Sequence, residues 1–124
     1  MAKLTDVSLF LGTDFSYVFS ILNDGETAAV NISSWTISWM LKEDVNDADA
    51  SALLTLTTAS AIVISGTYNS VPATNTQVAT VTIADTDTTS LEPMQAVWEL
   101  KRTDAGLETV LAYGRIELLR AVHR

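Results

Sequence analysis

The chain contains no cysteine. That absence removes disulfides, zinc–thiolate sites and thiol nucleophiles together, and it is compatible with a reducing compartment. Histidine occurs once, as His123, the second-last residue. A serine triad needs an imidazole held beside its serine, and a side chain so near a chain end is not held. Lys and Arg are missing between Lys42 and Lys101, while Glu43, Asp44, Asp47, Asp49, Asp85, Asp87, Glu92 and Glu99 fall in that interval. Phosphate binding draws its affinity from clustered cations, so the central half cannot be a nucleic-acid face. No apolar run approaches the roughly 20 residues of a membrane helix. The opening MAKLTDVSLFLG is interrupted by Asp6 and Ser8, unlike a secretory signal. A soluble protein made in the cytoplasm is expected, with neither nucleic acid nor membrane as partner.

What remains is an acidic, apolar chain of 124 residues with a formal charge of −8 and 48% hydrophobic residues. That length fits one domain, 1–124. Thr, Ser and β-branched residues cluster in short runs, which favours strands. The expected strands are Leu4–Leu11, the run DFSYVFSIL, Trp35–Lys42, Ala52–Thr58, Ala61–Ser65, Thr76–Ala84, QAVWELKRT and ETVLAYGRIELL. Between them lie turn signals: Asn23-Asp24-Gly25, the acidic loop EDVNDADAS, the segment GTYNSVPATN and Asp104-Ala105-Gly106. DTDTTSLEP reads as a turn or a single helical turn, capped by Asp85 or Asp87 and ended by Pro93. Gly114, inside the last run, marks a bulge or a close approach. About eight short strands spaced near 10 residues apart predict an antiparallel sandwich or barrel.

Alternation also sorts the aromatics. Phe15, Tyr17, Phe19 and Ile21 share one face of the second run. Trp35, Trp39 and Trp98 fall on inward faces by the same two-residue period. Rings of that size fill the space between two packed sheets, so all three indoles are expected as core pegs.

Sites for chemistry are scarce. No G-x-S-x-G, phosphate-binding or dinucleotide-binding glycine pattern occurs. Glu43–Asp49 opens like an EF-hand and then fails: Ala48 stands at a ligand position and Asp49 where glycine is required. Asp85 and Asp87 form a D-x-D pair, the weak candidates for Ca²⁺ or Mg²⁺, with helix capping as the competing role. Arg115, Arg120, His123 and Arg124 gather at the end, either as a solvated tail or as an arm that docks on an acidic neighbour.

Four stretches together carry a resemblance: WTISWMLKED, the loop NDADASALLT, QVATVTIADTDTTSLEP, and AVWELKRTDAGLETVLAYGRIEL. They are similar to a group of small tailed-bacteriophage virion proteins, in particular the N-terminal immunoglobulin-like module of phage baseplate upper proteins. The likeness runs from about Thr13 to Leu119. It implies an all-β, antiparallel immunoglobulin-like β-sandwich of about 7–9 strands, without catalytic residues or cofactors. The implied function is that of a non-enzymatic virion component, in the tail or baseplate, at the head–tail junction, or as a capsid decoration protein. Such baseplate proteins continue past this module, whereas the sequence here stops at Arg124. Copies would assemble as a homo-oligomer and dock on other virion proteins through strand edges and terminal arms. The residues expected at those contacts are Lys3, Leu4 and Phe10 of an N-terminal arm (1–10), and Leu119, Arg120, Val122, His123 and Arg124 of a C-terminal arm (119–124). The competing reading is a carbohydrate- or cell-surface-binding module using loops Glu43–Ser51 and Gly66–Asn75, with Tyr68 as the stacking ring.

Overall fold

The computed structural model describes residues 3–4, 6–23, 25, 27–44, 46–48 and 51–120. Nine strands and one helical turn are seen among them: β1 (Lys3–Leu4), β2 (Val7–Leu11), β3 (Phe15–Phe19), β4 (Ile37–Lys42), β5 (Leu54–Thr57), β6 (Ile62–Ser65), β7 (Val78–Ile83), α1 (Asp85–Thr88), β8 (Met94–Arg102) and β9 (Thr109–Arg120). They form two sheets. One holds six strands in the order β1-β9-β8-β4-β5, with β2 also on β9; the other holds three, β3-β7-β6. This is the all-β sandwich expected, with an immunoglobulin-like strand arrangement: β3, β7 and β6 on one side, β9, β8, β4 and β5 on the other.

It is not wholly antiparallel. β1 and β2 both pair with β9 in parallel. The register is continuous across them, Lys3 with Ala112, Val7 with Ile116 and Leu11 with Arg120, so they are one edge strand with a break. At that break the Asp6 carboxylate accepts the Arg115 N–H at 3.2 Å. The end of β2 is fixed as well. Gly12 turns the chain at φ 76°, and its N–H donates to Oγ1 of the buried Thr88 at 2.8 Å. Much of the expected N-terminal arm is therefore sheet, and residues 119–120 of the expected C-terminal arm belong to β9.

β4 lies between β5 and β8, which explains its sequence. Ile37, Trp39 and Leu41 enter the core, and Ser38 and Lys42 on the other face are buried too. Trp39 and Trp98 stack with centroids 6.5 Å apart. Tyr17 of β3 stacks on Trp39 at 6.2 Å, and Phe19 tilts against Trp98 at 5.7 Å. Two rings from each sheet thus pin the sandwich where an antibody domain uses a disulfide and one tryptophan. Gly114 sits directly across from Trp98; a residue without a side chain leaves that position to the indole. The bulge lies elsewhere, between Leu100 and Lys101.

Trp35 is a correction to the expected set of pegs. The strand begins two residues later, at Ile37. The Trp35 N–H closes a turn onto the Ile32 carbonyl at 3.0 Å, and its half-buried ring lies under the Arg102 guanidinium, 4.2 Å from the centroid. It packs the rim of the core.

Candidate functional site

Three regions hold the residues singled out in the sequence. The first is the edge where β2 meets β9. Phe10 and Leu119 are register partners on the outer face, and Phe10 is 49% exposed. Beside them on that face Gln95 donates to the Glu117 carboxylate at 3.1 Å, while Arg120, the register partner of core-facing Leu11, reaches Glu92 at 3.8 Å at the end of β9. Residues from near both ends of the chain therefore form one small apolar patch with a charged rim. Lys3 and Leu4 pair with Ala112 and Tyr113. Val122, His123 and Arg124 lie outside the described residues.

The second is a groove of about 420 Å³ lined by Val7, Tyr17, Phe19, Leu22 and Ala112, with Trp39 and Trp98 at its floor. It follows the side of β3 opposite β7. Trp39 is 0% exposed and Trp98 3%, so the indoles close the floor and do not stand in solvent. The lining offers no carboxylate, imidazole or thiol. Its one titratable group is Tyr17, whose hydroxyl burial pushes up to about 12. The Tyr17 hydroxyl and the Trp39 indole N–H are buried without a hydrogen-bond partner.

The third comprises the acidic loops. Asp87 accepts the Ala84 N–H at 2.8 Å, the backward bond of a capping box. Ala84 itself occupies the N-cap position, where Asp85 or Asp87 was expected. Asp85 accepts the Thr86 N–H at 2.8 Å and donates its own N–H to Asp14 at 2.7 Å. Asp44 and Asp47 likewise accept amides of their own loop, from Asn46 and Asp44. Among the described residues no group of three or more His, Cys, Asp or Glu side chains converges. Tyr68, the expected stacking ring, is tied down at its tip, where its hydroxyl donates to the Ala29 carbonyl at 3.2 Å.

A charged cluster lies at the β8–β9 turn. Asp104 accepts Arg102 Nε at 2.8 Å and the Thr36 N–H at 3.0 Å. The Arg102 hydrogen bond, then the Thr36 amide, hold its carboxyl below the usual carboxylate range. With Trp35 under Arg102, this cluster locks the entry to β4 onto the hairpin.

One surface escaped the sequence reading. Val18, Thr80 and Val63 lie abreast on the outer face of the three-stranded sheet, with Val18 63% and Val63 60% exposed. Both edges of that sheet lack a partner strand among the described residues. The signal was present: from Ala50 to Ala84 the chain carries no Asp, Glu, Lys, Arg or His.

No family model matches the chain, and neither does any curated protein. Among solved structures, a family 123 glycoside hydrolase from Clostridium perfringens aligns at TM-score 0.38 and 12% identity, covering 98% of this chain and 24% of the hydrolase. The inferred receptor binding domain of the human endogenous retrovirus envelope EnvP(b)1 aligns at TM-score 0.37 and 8% identity, covering 97% of this chain and 90% of that domain. Likeness at this level carries no information about activity.

Proposed function

We propose that the protein is a non-enzymatic assembly module of a tailed-phage virion, acting by docking and not by chemistry. The observation that carries the reading is the Phe10–Leu119 pair. Strands from near both ends of the chain are joined in register, and their outer face presents the exposed Phe10 ring and the half-buried Leu119 beside the hydrogen-bonded Gln95–Glu117 pair. An apolar centre with a charged rim is the anatomy of a protein–protein contact. The sequence pattern shared with the immunoglobulin-like module of baseplate upper proteins supplies the setting, a tail, baseplate or head–tail neighbour. The test is incorporation into particles. Washed virions grown from a genome carrying the coding sequence are expected to label with an antibody to the chain. Joint substitution Phe10→Asp and Leu119→Asp is expected to reduce incorporation at least tenfold while leaving the thermal melt little changed. Virions that lack the protein would overturn the reading.

A further inference from the structure

β6 is an edge strand with no described partner on one side. The pairing of β6 with β7 says which groups face that side. Thr82 N–H donates to the Ala61 carbonyl at 3.0 Å, so the pair Ala61–Thr82 is hydrogen-bonded. Antiparallel ladders alternate, and the next bonded pairs are Val63–Thr80 and Ser65–Val78. The N–H and C=O groups of Ile62 and Ile64 therefore point outward along the open edge. Natural edges are blunted by charges, proline or bulges. Over Ile62–Ser65 this one has none of them. β5, an edge of the other sheet, is uncharged too. The link Thr58–Ala61 between the two strands spans little more than the gap of about 10 Å separating packed sheets, so β5 and β6 bound the same flank.

We infer that this flank binds the same flank of a second copy, with β6 pairing antiparallel to β6 across a two-fold axis. Charge selects the occupant. The chain carries −8. Asp44 and Asp47 stay at the loop end of β5, away from Ile62–Ser65 in sequence, and strands β4, β8 and β9 bring charged residues to the other surfaces. A copy is repelled there and admitted only where carboxylates are absent. A basic partner would be drawn to the carboxylates and gains nothing from a neutral flank. An isologous contact also places Val63 near its own counterpart with no like charges opposed. Four residues of edge make a small interface, so the association is weaker than that of an obligate dimer. The inference rests on the assembly reading above but uses the edge of the three-stranded sheet at β6, not the β2–β9 edge that carries Phe10 and Leu119.

Sedimentation velocity over a concentration series tests it. The weight-average mass is expected to rise toward the dimer, and to do so at lower protein concentration when salt goes from about 0.01 M to about 0.15 M, because the screening length falls from about 30 Å to about 8 Å. Val63→Lys, at an exposed site, is expected to weaken the dimer at least tenfold even though it reduces the net charge. Ser65→Lys, at the next outward position, should do the same. Tyr113→Lys, an identical charge change on an exposed site of the other sheet, should leave the dimer intact. A monomer at every concentration, dissociation by added salt, or normal dimers from Val63→Lys would each overturn the inference. Its failure is separable from that of the virion reading: a folded, monomeric Val63→Lys variant that still enters particles keeps the second and confines the first.

Discussion

Strands β5 to β7 and strands β8 and β9 feed the same core but meet water differently. The first group carries no charged side chain, and its outward positions are Thr, Ser and Val. The second sets Glu99, Lys101, Arg102, Arg115, Glu117 and Arg120 along its length. Inward, the two groups are alike: Leu56, Ile62, Ala79, Val81 and Ile83 share one core with Ala96, Trp98, Leu100, Ile116 and Leu118. Burial dictates the inner pattern of a sandwich, whereas the outer pattern is free to serve solubility or contact. One side of this molecule is built to stay dissolved, and the other lacks that protection.

The core that both regions share is pinned by rings stacked between the two sheets, and the largest effect is expected there. Trp39→Ala removes the ring stacked on both Tyr17 and Trp98 and is expected to cost about 3–5 kcal/mol in urea unfolding. A cost near 1 kcal/mol would mean that the two sheets are held elsewhere.

The hairpin glycines set the two regions against each other directly. Gly66, leaving β6, has φ 85°, and a Cβ there would fall 2.0 Å from the Thr76 carbonyl oxygen. Gly106, between β8 and β9, has φ 79° and nothing within 4 Å. Alanine at Gly106 meets only the left-handed backbone penalty, about 1–2 kcal/mol. Alanine at Gly66 adds a backbone clash and is expected to cost more than about 3 kcal/mol. Equal losses would show that the charge-free hairpin yields more readily than its packing implies.

The smallest effects are those of pH, one at the β8–β9 turn and the other on β3, which pairs with β7. The lowered pKa of Asp104 contributes stability that is present above the unfolded value of about 4 and lost as pH falls through the folded value. Asp104→Asn should therefore flatten the acid limb of a stability–pH curve. Tyr17, raised to about 12, contributes stability present below about pH 10 that is lost as pH climbs toward the folded value. Tyr17→Phe should flatten the alkaline limb. Near neutrality it should be almost neutral, because it also deletes a buried hydroxyl with no partner.

The strands were legible because period-two alternation is a local property. Phe15–Phe19, Val78–Ile83 and Met94–Arg102 announce themselves in their own residues. Pairing is not local. Nothing in VSLFL says that β2 will lie parallel to a strand more than a hundred positions later, since alternation tells which face a residue takes and not which neighbour it meets. Trp35 misled for a related reason: it keeps the rhythm of Ile37 and Trp39, but Asp104 captures the Thr36 N–H before the ladder begins. Of the expected contact residues, Phe10 and Leu119 do come together, an adjacency set by strand register and invisible in either end alone. The open flank of β5 and β6 rests on a missing feature, charge, which is easily passed over when a sequence is read for motifs.

The parallel join of β2 to β9 has a mechanical consequence. If Val7 and Arg120 are drawn apart along the strand axis, the five register pairs from Val7–Ile116 to Leu11–Arg120 slide past one another, and their hydrogen bonds bear the tension simultaneously. An antiparallel hairpin gripped at its two open ends would instead unzip rung by rung. A single-molecule stretching trace should accordingly show one high rupture peak before the sandwich gives way.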